Sequence, residues 1–144
     1  LHTGGCIVVN VTGGLQDQCG FKKEDGSYLT AEDYVELQSN HRGAYKKHGE
    51  WVKPVFPSNI SLCGSPLTPY IFDDRCQYED AGECLLEWYK VGSEERERCG
   101  ELGRQFVNNE GRMTGENLCD LLSEAVETTF EKWKPREKYT LEAV

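Results

Sequence analysis

The residues of this chain best suited to hold a ligand are Thr12, Gly13 and Gly14, which follow directly on the apolar run Cys6-Ile7-Val8-Val9-Asn10-Val11. Glycines let backbone approach a ligand closely, a threonine adds a hydroxyl, and successive N–H groups in a concave turn can hold a sugar or phosphate. The plain alternative is a tight turn that only takes the chain out of a strand. Asp17 closes the segment; it can accept hydrogen bonds from a sugar hydroxyl or cap the following turn, and the cap is the simpler role. Trp51 and Tyr70 flank a proline-rich stretch. Aromatic faces suit the C–H surfaces of sugar rings, although core packing is the plainer role for at least one of the two. His41, Arg42, Lys46, Lys47 and His48 make the one basic cluster of an acidic chain. It would meet phosphates if its loop folded over a cleft, and is otherwise a solvated face. Asp73 and Asp74 are neighbours on an expected strand and so point to opposite faces, which rules out a simple acid–base dyad. No Ser–His–Asp or Cys–His arrangement supports a nucleophile.

These residues need elements to position them. The run from Cys6 to Val11, rich in β-branched residues and closed by paired glycines, predicts a buried parallel strand ending in a tight loop. Open α/β sheets bind ligands just beyond the carboxyl ends of such strands. Residues 18–70 are polar and turn-rich and read as an ordered, loop-rich insertion. Within it Asp25-Gly26 marks a turn, Thr30 caps a short helix to Leu37, and Glu50 to Pro57 alternates like a strand that Pro54 confines to an edge. Prolines 54, 57, 66 and 69 then argue for extended loop, and Tyr70 to Asp74 for a short strand. A helix is expected from about Tyr78 to Lys90, with Ala81, Cys84, Leu85, Trp88 and Tyr89 on one stripe. Ser93 is the expected N-cap of the next helix, with Glu94 and Glu95 at the positive end of its dipole. That helix should bury Cys99, Leu102 and Phe106, with Gly100 and Gly103 permitting close packing. Thr114 should cap a last helix whose stripe runs through Leu118, Leu121, Leu122, Ala125, Val126, Phe130 and Trp133, stopped by Pro135.

Bulk properties narrow the classes. The chain has 144 residues, enough for one domain with a real core. A net charge of −9 argues against nucleic acid and against an anionic membrane surface. No stretch approaches the roughly 20 apolar residues of a membrane span, and no signal peptide is evident. The chain starts at Leu1 and reads as a C-terminal fragment. Its 7 cysteines are irregularly spaced, without a C-x-x-C pair, and there are only 3 histidines, so buried reduced thiols are expected in place of a zinc site. Asn10-Val11-Thr12 and Asn59-Ile60-Ser61 match the glycosylation sequon, a pattern short enough to arise by chance.

Gly4-Gly5-Cys6-Ile7-Val8-Val9-Asn10-Val11-Thr12-Gly13-Gly14-Leu15-Gln16-Asp17 resembles a segment of group 1 nucleotide-sugar glycosyltransferases, which have two facing Rossmann-like domains (the GT-B type). Its Thr-Gly-Gly-Leu-x-Asp form is most similar to the glycogen and starch synthase branch. Three later segments resemble the same family in the same order: Glu79-Asp80-Ala81-Gly82-Glu83, then Glu94 to Arg104 with its Glu-x-Arg and Gly-x-x-x-Arg elements, then the helix from Thr114 to Trp133. The resemblance implies an α/β fold: a partial Rossmann-like three-layer domain spanning 1–144, with an insertion at about 18–70 and a helical end at about 78–134. It implies donor binding at Thr12, Gly13 and Gly14, sugar or cleft contacts at Asp17, Trp51 and Tyr70, and no metal or cofactor. The implied partners are a nucleotide-sugar donor, an acceptor glycan or other acceptor, and an N-terminal domain of the same chain, in the cytoplasm. The family's donor-binding carboxylates and phosphate-binding Arg and Lys precede the strand that opens this chain, so the fragment alone is expected to be inactive. Two other classes stay open: a secreted cysteine-rich binding module, and a non-catalytic interaction domain of the same fold.

Overall fold

The structure, a computed structural model, describes residues 1–110 and 113–135. Two compact units divide the chain, Leu1–Arg112 and Met113–Val144. In the first, β1 (Ile7–Asn10) leads into a 3-10 helix over Gly13–Cys19. There follow α1 (Ala31–Leu37), β2 (Val52–Val55), β3 (Asn59–Leu62), β4 (Phe72–Arg75), α2 (Tyr78–Val91) and α3 (Ser93–Gln105), with a π-helical turn over Phe106–Glu110. β1 and β2 pair in parallel from Ile7↔Val52 to Asn10↔Val55, and β3 and β4 form an antiparallel hairpin from Asn59↔Arg75 to Leu62↔Phe72.

The coarse expectation of a mixed α/β chain holds. Each sheet of the described residues has two strands, so these sheets do not by themselves establish a Rossmann-like layer. The parallel strand after Cys6 is present, half-buried from Ile7 to Val9 and exposed at Asn10, not the buried strand expected. Its partner is a surprise of placement: β2 lies inside the stretch read as an insertion. Val52 and Val55 are almost fully buried, and Cys19, Phe21 and Trp51 join them in the core. The segment is therefore half of the central pair. Pro54 stands where it does no harm. Ile7 N–H donates to Trp51 O and Val11 N–H to Val55 O, so strand alternation turns the Pro54 nitrogen to the edge away from β1.

Thr30 caps α1 through a full capping box with Asp33, as its sequence predicts. β3 was not expected, because the prolines on both sides of it mask a four-residue strand. The α2 stripe buries less than expected: Trp88 is buried, Ala81 and Cys84 half-buried, and Leu85 and Tyr89 exposed. Trp88 Nε1 donates to Ile7 O at 3.2 Å, which seats α2 on β1. Ser93 is not the N-cap of α3. Gly92 takes that place at φ +90°, a conformation only glycine adopts easily, and so joins α2 to α3 with a single residue. Cys99 and Phe106 are buried as expected, while Leu102 is only half-buried. Gly100 lies so close to the Gly4 backbone that a side chain would strike it, and a Cβ at Gly103 would fall 2.7 Å from Trp51 Cγ.

In the second unit, α4 spans Gly115–Lys132, with Thr114 Oγ1 accepting from Asn117 N and the helix ending at Trp133. Its expected core stripe is uncovered: Leu118, Leu121, Leu122, Val126, Phe130 and Trp133 are all exposed, as is Cys119.

Candidate functional site

The carboxyl end of the β1–β2 pair carries the Thr-Gly-Gly turn. Apolar β-branched residues carry β1 to Asn10; Thr12 then remains extended at φ −148° and Gly13 turns the chain at φ +46°. What forms is one tight 3-10 turn after another, not an open loop, with Leu15 N–H donating to Thr12 O at 3.2 Å. Gly13 and Gly14 are exposed, and a Cβ placed on either would meet no atom within 4 Å. Backbone is thus presented bare to the outside. Thr12 Oγ1 does not cap the turn; it donates to Asp74 Oδ2 at 2.9 Å, tying β4 to the mouth of β1. Asp73 faces away and is exposed, as adjacent strand positions require.

Asp17 sits exposed on the same turn and caps no backbone N–H among the described residues, contrary to its simpler expected role. Partial burial of the carboxylate raises its pKa. Its charge in turn reaches Tyr34 of α1, whose hydroxyl is pushed up chiefly by burial and then by Asp17, and Cys19, whose thiol burial drives up to about 12.

The two aromatic candidates are not brought to this edge together. Trp51 precedes β2, at the amino end of the parallel pair, and is only 3% exposed. Its Nε1 donates to Gln18 O at 2.9 Å and its ring lies 4.6 Å from that of Phe106, so it offers no face to a sugar and works as core. Tyr70 has the opposite fate: 80% exposed, it lies at the turn end of the β3–β4 hairpin, four residues before Asp74.

Sequence reasoning missed the polar clamp behind the turn. Gln16, buried in the 3-10 helix, accepts the Asn40 N–H at 2.8 Å, and the fully buried Asn40 side chain binds both peptide groups of Tyr45 at 2.7 and 2.9 Å. Polar residues in a turn-rich stretch carry no periodicity, so only their burial reveals them. Of the basic cluster, Lys47 pairs with Glu24 at 2.8 Å and His48 Nδ1 contacts Gly49 O, while Arg42 and Lys46 are exposed.

Two other features lie elsewhere. Glu50, Glu95 and Cys99 place ligand-type atoms within 4.8 Å of one another, but the Arg98 guanidinium already bridges Glu50 and Glu95 and supplies the positive charge a metal would bring. An open cavity of about 560 Å³ between Gly5, Cys6, Leu85, Trp88 and Arg96 sits at the amino end of β1, away from the glycine turn. The carboxyl edge is the better candidate, because side chains and bare backbone from several segments converge there. All seven cysteines are free, with those at 6, 19, 76, 84 and 99 raised in pKa chiefly by burial.

The chain matches no family model, no curated protein and no solved structure. No helix among the described residues is long and apolar enough to cross a membrane.

Proposed function

We propose that this chain forms the donor-side part of a nucleotide-sugar glycosyltransferase of the GT-B type, with Thr12, Gly13 and Gly14 contacting the donor. In this reading the β1–β2 pair belongs to a larger Rossmann-like sheet, the acceptor binds to an N-terminal domain of the same protein, and transfer takes place in the cytoplasm without a metal. The observation that carries it is the bare turn at the carboxyl end of a parallel strand pair: Gly13 at φ +46°, and both glycines exposed with no atom near their missing side chains. The positive φ accounts for Gly13 in any tight turn, but Gly14 has neither a positive φ nor a close neighbour that would require a glycine. The resemblance of Gly4 to Asp17 supplies the substrate class.

The test uses the full protein and a panel of uridine, guanosine, adenosine and cytidine diphosphate sugars, followed by release of the nucleoside diphosphate. One donor should be consumed in an acceptor-dependent way. Gly13→Val should lower its kcat/KM by about tenfold or more, because the branched side chain strains φ and blocks the approach. Turnover of no donor, or a Gly13→Val protein of full activity, overturns the reading.

A further inference from the structure

From Val55 to Phe72 the chain carries no charged residue, although charged residues make up 28% of it. That run holds β3, the tip of the hairpin and the start of β4. The register Ile60↔Asp74 and Leu62↔Phe72 sets Ile60, Leu62 and Phe72 on one face of the hairpin, and all three are exposed. Tyr70 and Ile71 continue the apolar surface towards the tip, where Leu67 is 94% exposed. So much contiguous aliphatic and aromatic surface gains free energy by leaving water.

Leaving water costs most at peptide groups without partners, and that is what keeps most loops out of lipid. This tip offers few such groups. Pro66 and Pro69 have no N–H to satisfy. Ser65 and Thr68 exchange both peptide hydrogen bonds, at 3.1 and 3.0 Å, and their hydroxyls lie 3.1 Å apart. Cys63 N–H donates to Ile71 O at 2.8 Å. A Cβ on Gly64 would fall 2.5 Å from the Pro69 carbonyl, so the apex is closed and set before anything binds it. Charge returns only at the base. Asp73 is exposed on the opposite face, and the Arg75 guanidinium donates to Ser61 Oγ at 2.7 Å and to Cys63 Sγ at 3.0 Å. A protein interface ordinarily sets a polar rim around an apolar centre. Here the order runs along the hairpin, from an aliphatic apex through aromatic rings to charge, which is the order of depth at a lipid surface. We propose that the β3–β4 hairpin docks into the surface of a neutral, zwitterionic bilayer. Leu67 enters deepest, Tyr70 and Phe72 lie at headgroup level, Arg75 meets lipid phosphates, and Asp73 marks where insertion stops. The net charge of −9 sets the preference for neutral over anionic lipid. The proposal does not depend on the donor-site reading. Where both hold, the Thr12–Asp74 bond at the base of the hairpin sets the glycine turn beside the bilayer, within reach of an acceptor carried on lipid.

The experiment sediments the full protein with vesicles of phosphatidylcholine, alone or mixed with phosphatidylglycerol, comparing wild type with Leu67→Glu and Tyr70→Ser. Val35→Glu, at an exposed apolar position of α1, is the control. All three positions are exposed, so folding should be unaltered, which circular dichroism checks. Leu67→Glu should weaken binding to neutral vesicles by about tenfold and Tyr70→Ser by less, with Val35→Glu unchanged. Binding should persist at high salt and fall as phosphatidylglycerol is added. In a second measurement, Leu67→Trp should gain fluorescence with vesicles that brominated lipid quenches, beyond the response of wild type. Wild type that does not sediment, or Leu67→Glu that binds as wild type, overturns the proposal. So does binding that rises with phosphatidylglycerol. A Leu67→Trp fluorophore already shielded before lipid is added would assign the patch to a protein partner and overturn it too. Donor turnover is measured separately, so none of these failures touches the donor-site reading.

Discussion

Asn40 is fully buried and makes three hydrogen bonds of 2.7 to 2.9 Å, yet no feature of its sequence context marks it. With its side chain removed, both Tyr45 peptide groups lose their partners in a buried place, and a buried unsatisfied group costs about 1–3 kcal/mol. Asn40→Ala should therefore lower the free energy of unfolding in urea by about 2 kcal/mol, and a loss below experimental error would deny the clamp. Asp33 gives a prediction in pH. Its hydrogen bond with Lys23, with those from Thr30, lowers its pKa to about 2 from an ordinary 3.8. Because the folded value is the lower one, the stabilisation is complete above the ordinary value and is lost as pH falls from there through about 2. The melting temperature of wild type should drop over that window, and Asp33→Asn should start lower and drop less.

At the scale of elements, two glycines on neighbouring helices should respond in opposite ways to the same change. Gly100→Ala would drive a methyl group into the Gly4 carbonyl, backbone that cannot step aside, and should cost about 3 kcal/mol or prevent folding. Gly82→Ala in α2 meets nothing within 4 Å and should stabilise by about 0.5–1 kcal/mol. Thermal melts of the two variants decide it; a Gly100→Ala protein no less stable than wild type would mean that α3 does not press on the amino-terminal segment. Sequence alone displayed most of these elements. The 3.6-residue stripes located α2, α3 and α4, Thr114 capped α4 as expected, and Cys6 to Val11 located β1, because local propensity decides whether such elements form; the burial that the stripes implied failed for most of α2 and for α4. Sequence alone failed where long-range pairing decides. The alternation from Glu50 to Pro57 gave a strand that Pro54 confines to an edge, as it is, but its partner β1 lies far away in sequence and no local pattern names it. The candidate site was legible as far as the glycines; the Gln16–Asn40 clamp and the Thr12–Asp74 bond join distant segments, which no local spacing announces. Trp51 takes the core role that was the plainer expectation for one of the two aromatics, while its alternative role as a sugar contact fails because the ring is buried.

For the molecule as a whole, its thiols report how it is packed. Cys63 and Cys119 are exposed, Cys6, Cys76 and Cys84 are partly covered, and Cys19 and Cys99 are buried. A small alkylating reagent should thus modify Cys63 and Cys119 fast and the middle group more slowly, leaving Cys19 and Cys99 until the chain unfolds. Mass spectrometry of quenched time points gives the order directly, and rapid loss of Cys19 would contradict a core that encloses it. The parallel pairing of Ile7 with Val52 also sets a timetable. During synthesis at about 5–20 residues per second, β1 leaves the ribosome about 2–9 s before its partner strand exists, and Trp88 arrives later still. Throughout that interval Ile7, Val8 and Val9 are a bare, β-prone, uncharged edge, the kind of segment that seeks any other strand. The nascent chain is then most open to chaperone capture or to aggregation, and slow codons between residues 12 and 50 would lengthen the exposure.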